Sequence, residues 1–407
     1  MNILLVNKYF YPRGGSERSV FDTAGLLQAR GHGVSFFSMH HPSNRESPDS
    51  RYFVSEVDYE RPAPPHLKAR AAARLLYSTE ARRKLARLLD TARPDLVHLH
   101  NIHHQISPSI IPLVKKRGLP VVMTLHDYKM VCPVYTLARN GKPCEECGGG
   151  RFSRCVLHRC AKGSWSKSLL AAVEMSLHHK VLGLYRGVDV FLSPSRFLKE
   201  KMEEMGFAGR IVHLPHFLPP AGDDPGNPPG EGILYFGRLS SEKGLMTLLE
   251  AAGRTSLSWK IAGEGPLRDA LEARIRERAL TNVSLLGYKT RDGLIPEIRS
   301  SMFVVLPSVW YENQPYAILE AFAGERPVVG SRIGGIPELV RDGETGLTFE
   351  AGNAADLAEK AMLLVQSPEW VGDMGCKARR LVETEFSPDI HYRRLMDVYE
   401  GVLRGKA

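Results

Sequence analysis

Short apolar runs rich in β-branched residues alternate with longer segments of helical periodicity along almost the whole chain. Helical patterns such as SERSVFDTAGLLQAR (16–30) and PLRDALEARIRERAL (266–280) follow these runs in both halves. Strands that alternate with helices are typical of parallel sheets with helices on both faces. The runs predicted as strands are residues 2–7, 33–38, 95–100, 119–125 and 188–193 in the first half, and residues 232–237, 258–263, 282–287, 302–308 and 326–331 in the second.

A stretch rich in Pro, Gly and Asp, PPAGDDPGNPPGEG, begins at residue 219 and divides the two halves. Such a composition favours a linker, and 407 residues favour two domains. The sequence therefore predicts an α/β fold of two Rossmann-like, doubly wound parallel-sheet domains that face each other across a cleft. We expect an N-terminal domain at 1–218, a linker at 219–231, a C-terminal domain at 232–386 and a final helix within 387–407 that opens with a Ser-Pro signal.

Charge is distributed unevenly between the halves. Residues 1–220 carry +14 and residues 221–407 carry −5, which together give the net charge of +9. Leucines recur at helical spacing opposite arginines in HLKARAAARLLYSTEARRKLARLLD (66–90). This pattern is typical of a basic amphipathic helix at an anionic membrane interface, and equally of a core-packing helix with a solvated basic face. No nucleic-acid module is recognisable, and no protein partner can be predicted.

The N-terminus, MNILLVNKYF, has no basic segment before its apolar run, so it is expected to form a buried strand rather than a signal peptide. No apolar stretch of the sequence approaches the roughly 18 residues of a spanning helix. These features predict a cytoplasmic protein. If its basic N-terminal half contacts lipid, we expect it to be a peripheral protein at the inner face of the cell membrane.

Three motifs follow predicted strands and open helices. Gly14 and Gly15 come after the first strand, where glycines let the backbone approach a phosphate at a helix N-terminus. A simple structural turn explains them equally well. In FGRLSSEKG (236–244), Arg238 and Lys243 suit a diphosphate, although an exposed loop pair is the alternative.

The third motif, ENQPYAILE (312–320), carries Glu312 and Glu320. Glu312 is expected before a helix that has Pro315 in its first turn, with Glu320 two turns further on. Carboxylates accept hydrogen bonds from paired hydroxyls, which sugars supply. The alternative is a helix-dipole contact for Glu312 and a surface position for Glu320.

Taken together with LHD (125–127), AGEGP (262–266) and GGIPELVRDGETG (334–346), these motifs resemble the retaining glycosyltransferases of family 4, which have the GT-B fold. The resemblance covers almost the whole chain. It implies a metal-independent hexosyltransferase that uses a nucleotide-diphosphate-sugar, UDP- or GDP-linked above all. It also implies that the final helix crosses back onto the first domain.

The same resemblance assigns roles to individual residues. Glu312 contacts the transferred sugar, Glu320 holds the ribose, and His126 lies near the reacting centre. Arg238 and Lys243 bind the diphosphate. The resemblance implies that these two residues, together with His126 and Glu312, are the catalytic residues. The remaining implied donor-binding residues are Gly14, Gly15, Gly263, Gly265, Tyr288, Asn313, Tyr316 and Ala317.

A cysteine-rich insertion at about 128–165 departs from that family pattern. Cys144, Cys147, Cys155 and Cys160 are spaced as in a structural zinc site. Cys132 and His158 are alternate ligands, while unliganded thiols, disulfides and an iron–sulfur cluster stay open. The insertion is expected over the acceptor side, where it would shape acceptor binding or membrane docking.

The leading hypothesis is transfer of a sugar to a lipid-linked glycan or to a precursor of cell-surface polysaccharide or lipopolysaccharide. A soluble small-molecule acceptor, a sugar-nucleotide epimerase and a non-catalytic sugar-nucleotide-binding protein are the alternatives.

Overall fold

The computed structural model describes residues 1–57, 59, 64–218 and 230–405. Two six-stranded sheets dominate these residues, and every strand pair within them is parallel. The predicted α/β fold class is therefore confirmed. The predicted linker lies outside the described residues except for its last two positions, 230 and 231.

The first sheet has the order β2-β1-β3-β4-β7-β8, and a two-residue hairpin lies in the insertion. Its strands, with the hairpin, are β1 (Asn2–Val6), β2 (Gly33–Phe37), β3 (Leu96–Leu99), β4 (Val121–Thr124), β5 (Ala138–Arg139), β6 (Lys142–Pro143), β7 (Val190–Ser193) and β8 (Ile211–His213). The helices of this half are α1 (Gly15–Ala29), α2 (Pro65–Leu76), α3 (Thr79–Ala92), α4 (Ile111–Lys116), α5 (Ser153–Leu157), α6 (Trp165–Ser176) and α7 (Arg196–Glu204).

The second sheet has the order β11-β10-β9-β12-β13-β14. Its strands are β9 (Ile233–Phe236), β10 (Trp259–Ala262), β11 (Val283–Gly287), β12 (Phe303–Leu306), β13 (Val328–Ser331) and β14 (Gly346–Phe349). The helices that follow are α8 (Leu245–Ala252), α9 (Arg268–Glu277), α10 (Arg291–Ser300), α11 (Tyr316–Ala323), α12 (Ile336–Leu339), α13 (Ala354–Val365), α14 (Pro368–Glu385) and α15 (Pro388–Leu403).

Each sheet has one point at which the chain switches direction across the sheet. In the first sheet this point lies between β1 and β3, and in the second it lies between β9 and β12. Ligands of open parallel sheets bind beyond the carboxyl ends of the strands at this switch point. The loops that follow β1, β3, β9 and β12 are thereby the natural places for functional side chains.

The basic segment 66–90 does not form the single helix that its periodicity suggests. It is broken after Leu76, and Ser78 caps the second helix by accepting a hydrogen bond from the backbone N–H of Ala81. Leu85 and Leu88 are fully buried in the core of the first domain. The apolar face of α3 is therefore used for packing, and the core-packing interpretation is the correct one for this helix.

Helix α15 lies against the first sheet although it follows the second domain in sequence. Leu395 and Tyr399 are fully buried in one cluster with Ile3 and Leu5 of β1. The hydroxyl of Tyr399 shares a 2.7 Å hydrogen bond with Nδ1 of His98 on β3. This packing holds the carboxyl ends of the two sheets opposite each other.

Truncation of Leu395 tests how strongly α15 holds the domains. Leu395→Ala should lower the free energy of unfolding by about 2–5 kcal/mol, because it leaves a cavity in the core of the first domain. Urea unfolding followed by circular dichroism measures the change. The control is Leu403→Ala on the same helix, which is 40% exposed and should change the stability by less than about 0.5 kcal/mol. Equal effects of the two variants would contradict the assigned packing.

Candidate active site between the two sheets

A buried ion pair lies at the carboxyl edge of the second sheet. Nζ of Lys243 donates to Oε1 of Glu312 at 2.6 Å, and the hydroxyl of Ser308 donates to the same oxygen at 2.6 Å. Burial alone would raise the pKa of Glu312, but Lys243 and these hydrogen bonds hold it below its ordinary value. Glu312 is thus a fixed carboxylate with a cation beside it.

The backbone explains why Glu312 lies there. It belongs to the loop between β12 and α11, so it follows the carboxyl end of a central strand. Pro315 is the N-cap residue of α11 rather than part of its first turn, which corrects the expected helix start by one position. Glu312 is only 5% exposed, so its carboxylate is enclosed by the protein.

Close packing of two loops in the second domain requires glycine at positions 263 and 265. A side chain at Gly263 would place its Cβ 1.9 Å from the backbone oxygen of Gly237, and one at Gly265 would meet the backbone oxygen of Leu239 at 2.4 Å. The loop after β9 can therefore lie directly on the loop after β10. This contact supports the exposed Arg238, whose backbone oxygen also accepts a hydrogen bond from Tyr235. Tyr288, the first residue after β11, is 71% exposed.

The first domain brings Gly14 and Gly15 to the start of α1. A Cβ at Gly15 would lie 3.5 Å from the ring of Tyr316, which begins α11 of the other domain. One turn along α1, Arg18 donates to Oε1 of Glu320 at 2.6 Å and lies over the Tyr316 ring at 4.4 Å. Glu320 thus has a cationic partner from the opposite domain.

Further polar contacts join the domains around the same loop. The hydroxyl of Ser195 donates to Oδ1 of Asn313 at 2.7 Å. Glu338 accepts hydrogen bonds from the backbone N–H groups of Arg196 and Phe197, at 2.9 and 2.6 Å, and so caps the start of α7. Ala317 is half-buried beside these contacts on α11. The cleft is consequently narrow in this conformation.

His126 belongs to a column of four histidine rings that the sequence did not reveal. His98, His100, His126 and His216 stack with successive centroid distances of 4.4, 5.2 and 5.9 Å, and His216 stacks on Tyr316 at 4.9 Å. Nδ1 of His100 shares a 2.9 Å hydrogen bond with Nε2 of His126. The column runs from the first sheet to the second domain.

Burial keeps these rings neutral. It lowers the pKa of His98 and of His126 to about 3, and lowers the pKa of His100 and His216 well below the ordinary value. Neighbouring histidines add to the effect at His98, His100 and His216, and Lys8 adds to it at His126. At neutral pH, His126 therefore presents an uncharged imidazole to the cleft.

The structure does not support the predicted zinc site. Within the described parts of the chain, no three His, Cys, Asp or Glu side chains are grouped so as to hold a metal ion. Cys147 and Cys155 instead pack with Phe152, Ala172 and Met175, and burial raises the pKa of both thiols to about 12.

The remaining candidate ligands are divided between this cluster and other contacts. Cys160 packs against the same cluster and shares a side-chain hydrogen bond with Cys155. His158 shares hydrogen bonds with Arg139 and Glu146, which occupy both of its ring nitrogens. Cys132 is buried in the main core of the first domain, while Cys144 and Cys160 are half-buried thiols. Apolar packing and hydrogen bonds thus contribute to holding the insertion together, and Cys147 and Cys155 take part as small apolar side chains.

Comparison with known proteins identifies the family. Residues 14–216 match the family model described as "Glycosyl transferase 4-like domain", and residues 230–367 match "Glycosyl transferases group 1". The chain is a glycosyltransferase of the GT-B class. The α-maltose-1-phosphate synthase of Mycobacterium tuberculosis is 32% identical to this glycosyltransferase over 323 residues, 75% of this chain and 79% of that protein.

Two further proteins are similar over most of the glycosyltransferase. The "uncharacterized 42.6 kDa protein in cps region" of Klebsiella pneumoniae is 27% identical over 363 residues, 84% of this chain and 88% of its own length. The crystal structure of Anabaena Alr3699/HepE in complex with UDP has a TM-score of 0.67 at 17% identity, and the match covers 98% of this chain and all of that one. At that identity the likeness shows a shared fold.

Sequence reasoning missed the residues that link the domains of the glycosyltransferase. Arg18 lies three residues after Gly15. A cation one turn into the helix that begins at the glycine turn could have been recognised as a candidate site residue. His98 and His100 are two positions apart at the end of a strand, so they share one face of the sheet. His216 had no local signal, because its place in the column depends on tertiary packing.

The histidine column makes the stability of the enzyme depend on pH. A buried neutral histidine with a lowered pKa takes up a proton on unfolding once the pH falls below about 6.5. Its contribution to stability is thus present above pH 6.5 and is lost on acidification. His216→Gln removes one such group and should reduce the stability lost between pH 7 and pH 5 by about 1–2 kcal/mol. Urea unfolding at both pH values measures this, and an unchanged loss would contradict the neutral state of the column.

Proposed function

We propose that this glycosyltransferase is a retaining, metal-independent hexosyltransferase that takes its sugar from a UDP- or GDP-sugar. Its acceptor is a lipid-linked glycan or another precursor of cell-surface polysaccharide or lipopolysaccharide, met at the inner face of the cell membrane. The observation that carries the proposal is the ion pair of Lys243 with the buried Glu312. Glu312 lies in the loop before α11, whose first residue, Tyr316, packs against Gly15 of the first domain.

The departing group of such a reaction is a nucleoside diphosphate, which gains negative charge as the sugar–phosphate bond breaks. Lys243 precedes α8 by two residues, and Arg238 is exposed in the same loop. Cations and helix N-terminal N–H groups that are already in place stabilise such charge without reorganisation. These groups supply the positive charge that a metal ion provides in other transferases.

The sugar end of the donor is proposed to lie between Glu312 and His126. Glu312 is ionised and held by Lys243 and Ser308, so it can accept hydrogen bonds from sugar hydroxyls without moving. His126 is neutral and therefore adds no positive charge beside the developing oxocarbenium ion. The departing phosphate oxygen is proposed to deprotonate the acceptor hydroxyl on the same face, which retains the anomeric configuration, and no protein nucleophile is assigned.

The ribose is proposed to bind Glu320 in exchange for Arg18. In the present conformation Glu320 is paired with Arg18 at 2.6 Å. Paired ribose hydroxyls are good partners for a carboxylate, and Arg18 would then be available to the nearby diphosphate. Donor entry would therefore begin with separation of the two domains and end with their closure, which excludes water from the reacting centre.

The acceptor assignment is supported by the charge of the first domain and by the relative from a cps region. Residues 1–220 carry +14, and a surface of this kind attracts anionic lipid or phosphate groups. Among the described residues no helix is both long enough and apolar enough to cross a bilayer.

Nucleotide-sugars can be tested directly by thermal stabilisation. A ligand that binds only the folded protein increases its free energy of unfolding, by about 2.7 kcal/mol at a ligand concentration of a hundred times Kd, and so raises its melting temperature. We expect a shift with UDP-sugars or GDP-sugars and none with ADP- or TDP-sugars, measured by differential scanning fluorimetry. Absence of a shift with every nucleotide-sugar would contradict the proposed donor site.

Side-chain replacement tests the roles of the buried pair. Glu312→Ala and Lys243→Ala should each lower the release of nucleoside diphosphate from the donor by about a hundredfold or more, since each removes preorganised charge. The matched controls are Asp373→Ala and Lys377→Ala, which break a 2.7 Å pair on the surface of α14. Circular dichroism checks that all four variants fold. Near-normal rates in either cleft variant would exclude the assigned role.

A further inference from the structure

Exposed apolar side chains are concentrated in one segment of the first domain. Six of the thirteen large hydrophobic side chains that are exposed in the described residues lie between positions 157 and 182. They are Leu157, Trp165, Leu169, Val173, Val181 and Leu182, with exposed fractions from 37% to 73%. Single exposed hydrophobic residues are ordinary, but a concentration of this kind marks an interaction surface.

Helix α6 gives this segment a defined apolar face. Trp165, Leu169 and Val173 follow each other at intervals of four residues, so they form one stripe along the helix. Ala172 and Met175 of the same helix are buried against the Cys147–Cys155 cluster of the insertion. One face of α6 is thus fixed to the protein, while the stripe faces solvent.

Basic residues flank the stripe in the sequence. Residues 151–182 contain six Lys and Arg residues, all exposed: Arg151, Arg154, Arg159, Lys162, Lys167 and Lys180. The same stretch contains one acidic residue, Glu174, which is 1% exposed and pairs with the buried Lys129 at 2.7 Å. The accessible charge of this surface is therefore positive.

We propose that the α6 surface, formed by Trp165, Leu169 and Val173 with the surrounding basic residues, docks the enzyme on an anionic lipid bilayer. Aliphatic side chains and a tryptophan suit the boundary between headgroups and acyl chains, and lysines and arginines suit anionic headgroups. A second copy of this chain fits less well, because a symmetric contact would bring two positive surfaces together. Nucleic acid fits less well because Leu and Val do not stack on bases.

This surface is connected to the cleft through the insertion. Helix α6 packs on α5, and the loop before α5 carries Glu145, which accepts a 2.8 Å hydrogen bond from Tyr311 of the second domain. Tyr311 is the residue before Glu312. A bilayer at the α6 surface would therefore lie on the acceptor side of the cleft. The inference rests on the proposed lipid-linked acceptor and assigns the membrane contact to α6 rather than to α3.

Flotation of the full-length protein with lipid vesicles tests the surface. Vesicles of phosphatidylcholine alone are compared with vesicles that contain about 30% phosphatidylglycerol, an anionic lipid. The wild-type protein should float with the anionic vesicles and stay in the buffer with the neutral ones. High salt should weaken the binding, since it screens the contribution of the basic residues.

Two triple variants distinguish the contribution of the α6 stripe to vesicle binding from that of exposed apolar residues elsewhere on the protein. Trp165→Ser, Leu169→Ser and Val173→Ser together should lower the vesicle-bound fraction by about tenfold or more, because the apolar anchors are lost. The control replaces three exposed apolar residues of the second half, Ile295→Ser, Leu363→Ser and Leu403→Ser, and should bind like the wild type. A wild-type protein that does not float, or a stripe variant that floats as well as the control, would overturn the proposal.

A donor measurement on the same samples keeps the two proposals apart. Both triple variants should keep the melting-temperature shift with the nucleotide-sugar, since neither changes the cleft. A normal donor shift without flotation would overturn the α6 surface and leave the donor site standing. Flotation without a donor shift would support the surface and contradict the proposed function. Conversion of a wild-type dimer to a monomer by the stripe variant, with no vesicle binding, would assign the surface to self-association and overturn the lipid proposal.

Discussion

The active-site cleft depends on the way in which two parallel sheets present their carboxyl ends to each other. A parallel strand must be followed by a crossover, so every loop at its carboxyl end can carry side chains without disturbing the sheet. Helix α15 returns from the second domain to cover β1 and β3 of the first. The loop at 307–315 is thereby held against α1 and the end of β4, and residues from distant parts of the sequence share one site.

Electrostatics within the cleft follows from this enclosure. A carboxylate as buried as Glu312 requires a cation nearby, and Lys243 supplies it. Arg18 and Glu320 repeat the arrangement across the domain boundary. Glu312 is thus kept ionised, and both carboxylates are held by cations that a ligand would have to displace. The neutral histidine column adds no further charge to the cleft. In the proposed complex, the anionic part of the donor would meet lysine and arginine, while its hydroxyl groups would meet carboxylates.

Local sequence patterns were sufficient to predict the central strands and the residues that follow them, because these features depend on neighbouring residues in the chain. The central strands are continuous apolar runs, and Gly14, Gly15 and Glu312 lie between such runs and the interiors of the helices that follow, so their positions at the sheet edge could be expected. The outer strands β8 and β14 were missed, because polar residues interrupt their apolar patterns: β8 ends at His213, and β14 contains Thr348. The single basic helix was wrong because Ser78 caps a new helix within an apparently continuous pattern.

Features that depend on tertiary packing could not be predicted. His216 and Arg18 acquire partners about 90 and 300 residues away in sequence. Cysteine spacing suggested a metal site, but the insertion folds so that Cys147 and Cys155 join an apolar cluster, and His158 is engaged by Glu146. The stripe on α6 was hidden because Trp165, Leu169 and Val173 resemble core residues until their exposure is known.

The central claim is that the cleft between the two sheets holds the nucleotide-sugar. Hydrogen–deuterium exchange with and without a saturating nucleotide-sugar tests it most directly, because bound ligand protects the backbone that it covers and orders. The account predicts increased protection at residues 14–18, 236–245 and 308–320, with little change on α6 and α14. Protection confined to other regions, or unchanged exchange in these three segments, would contradict it.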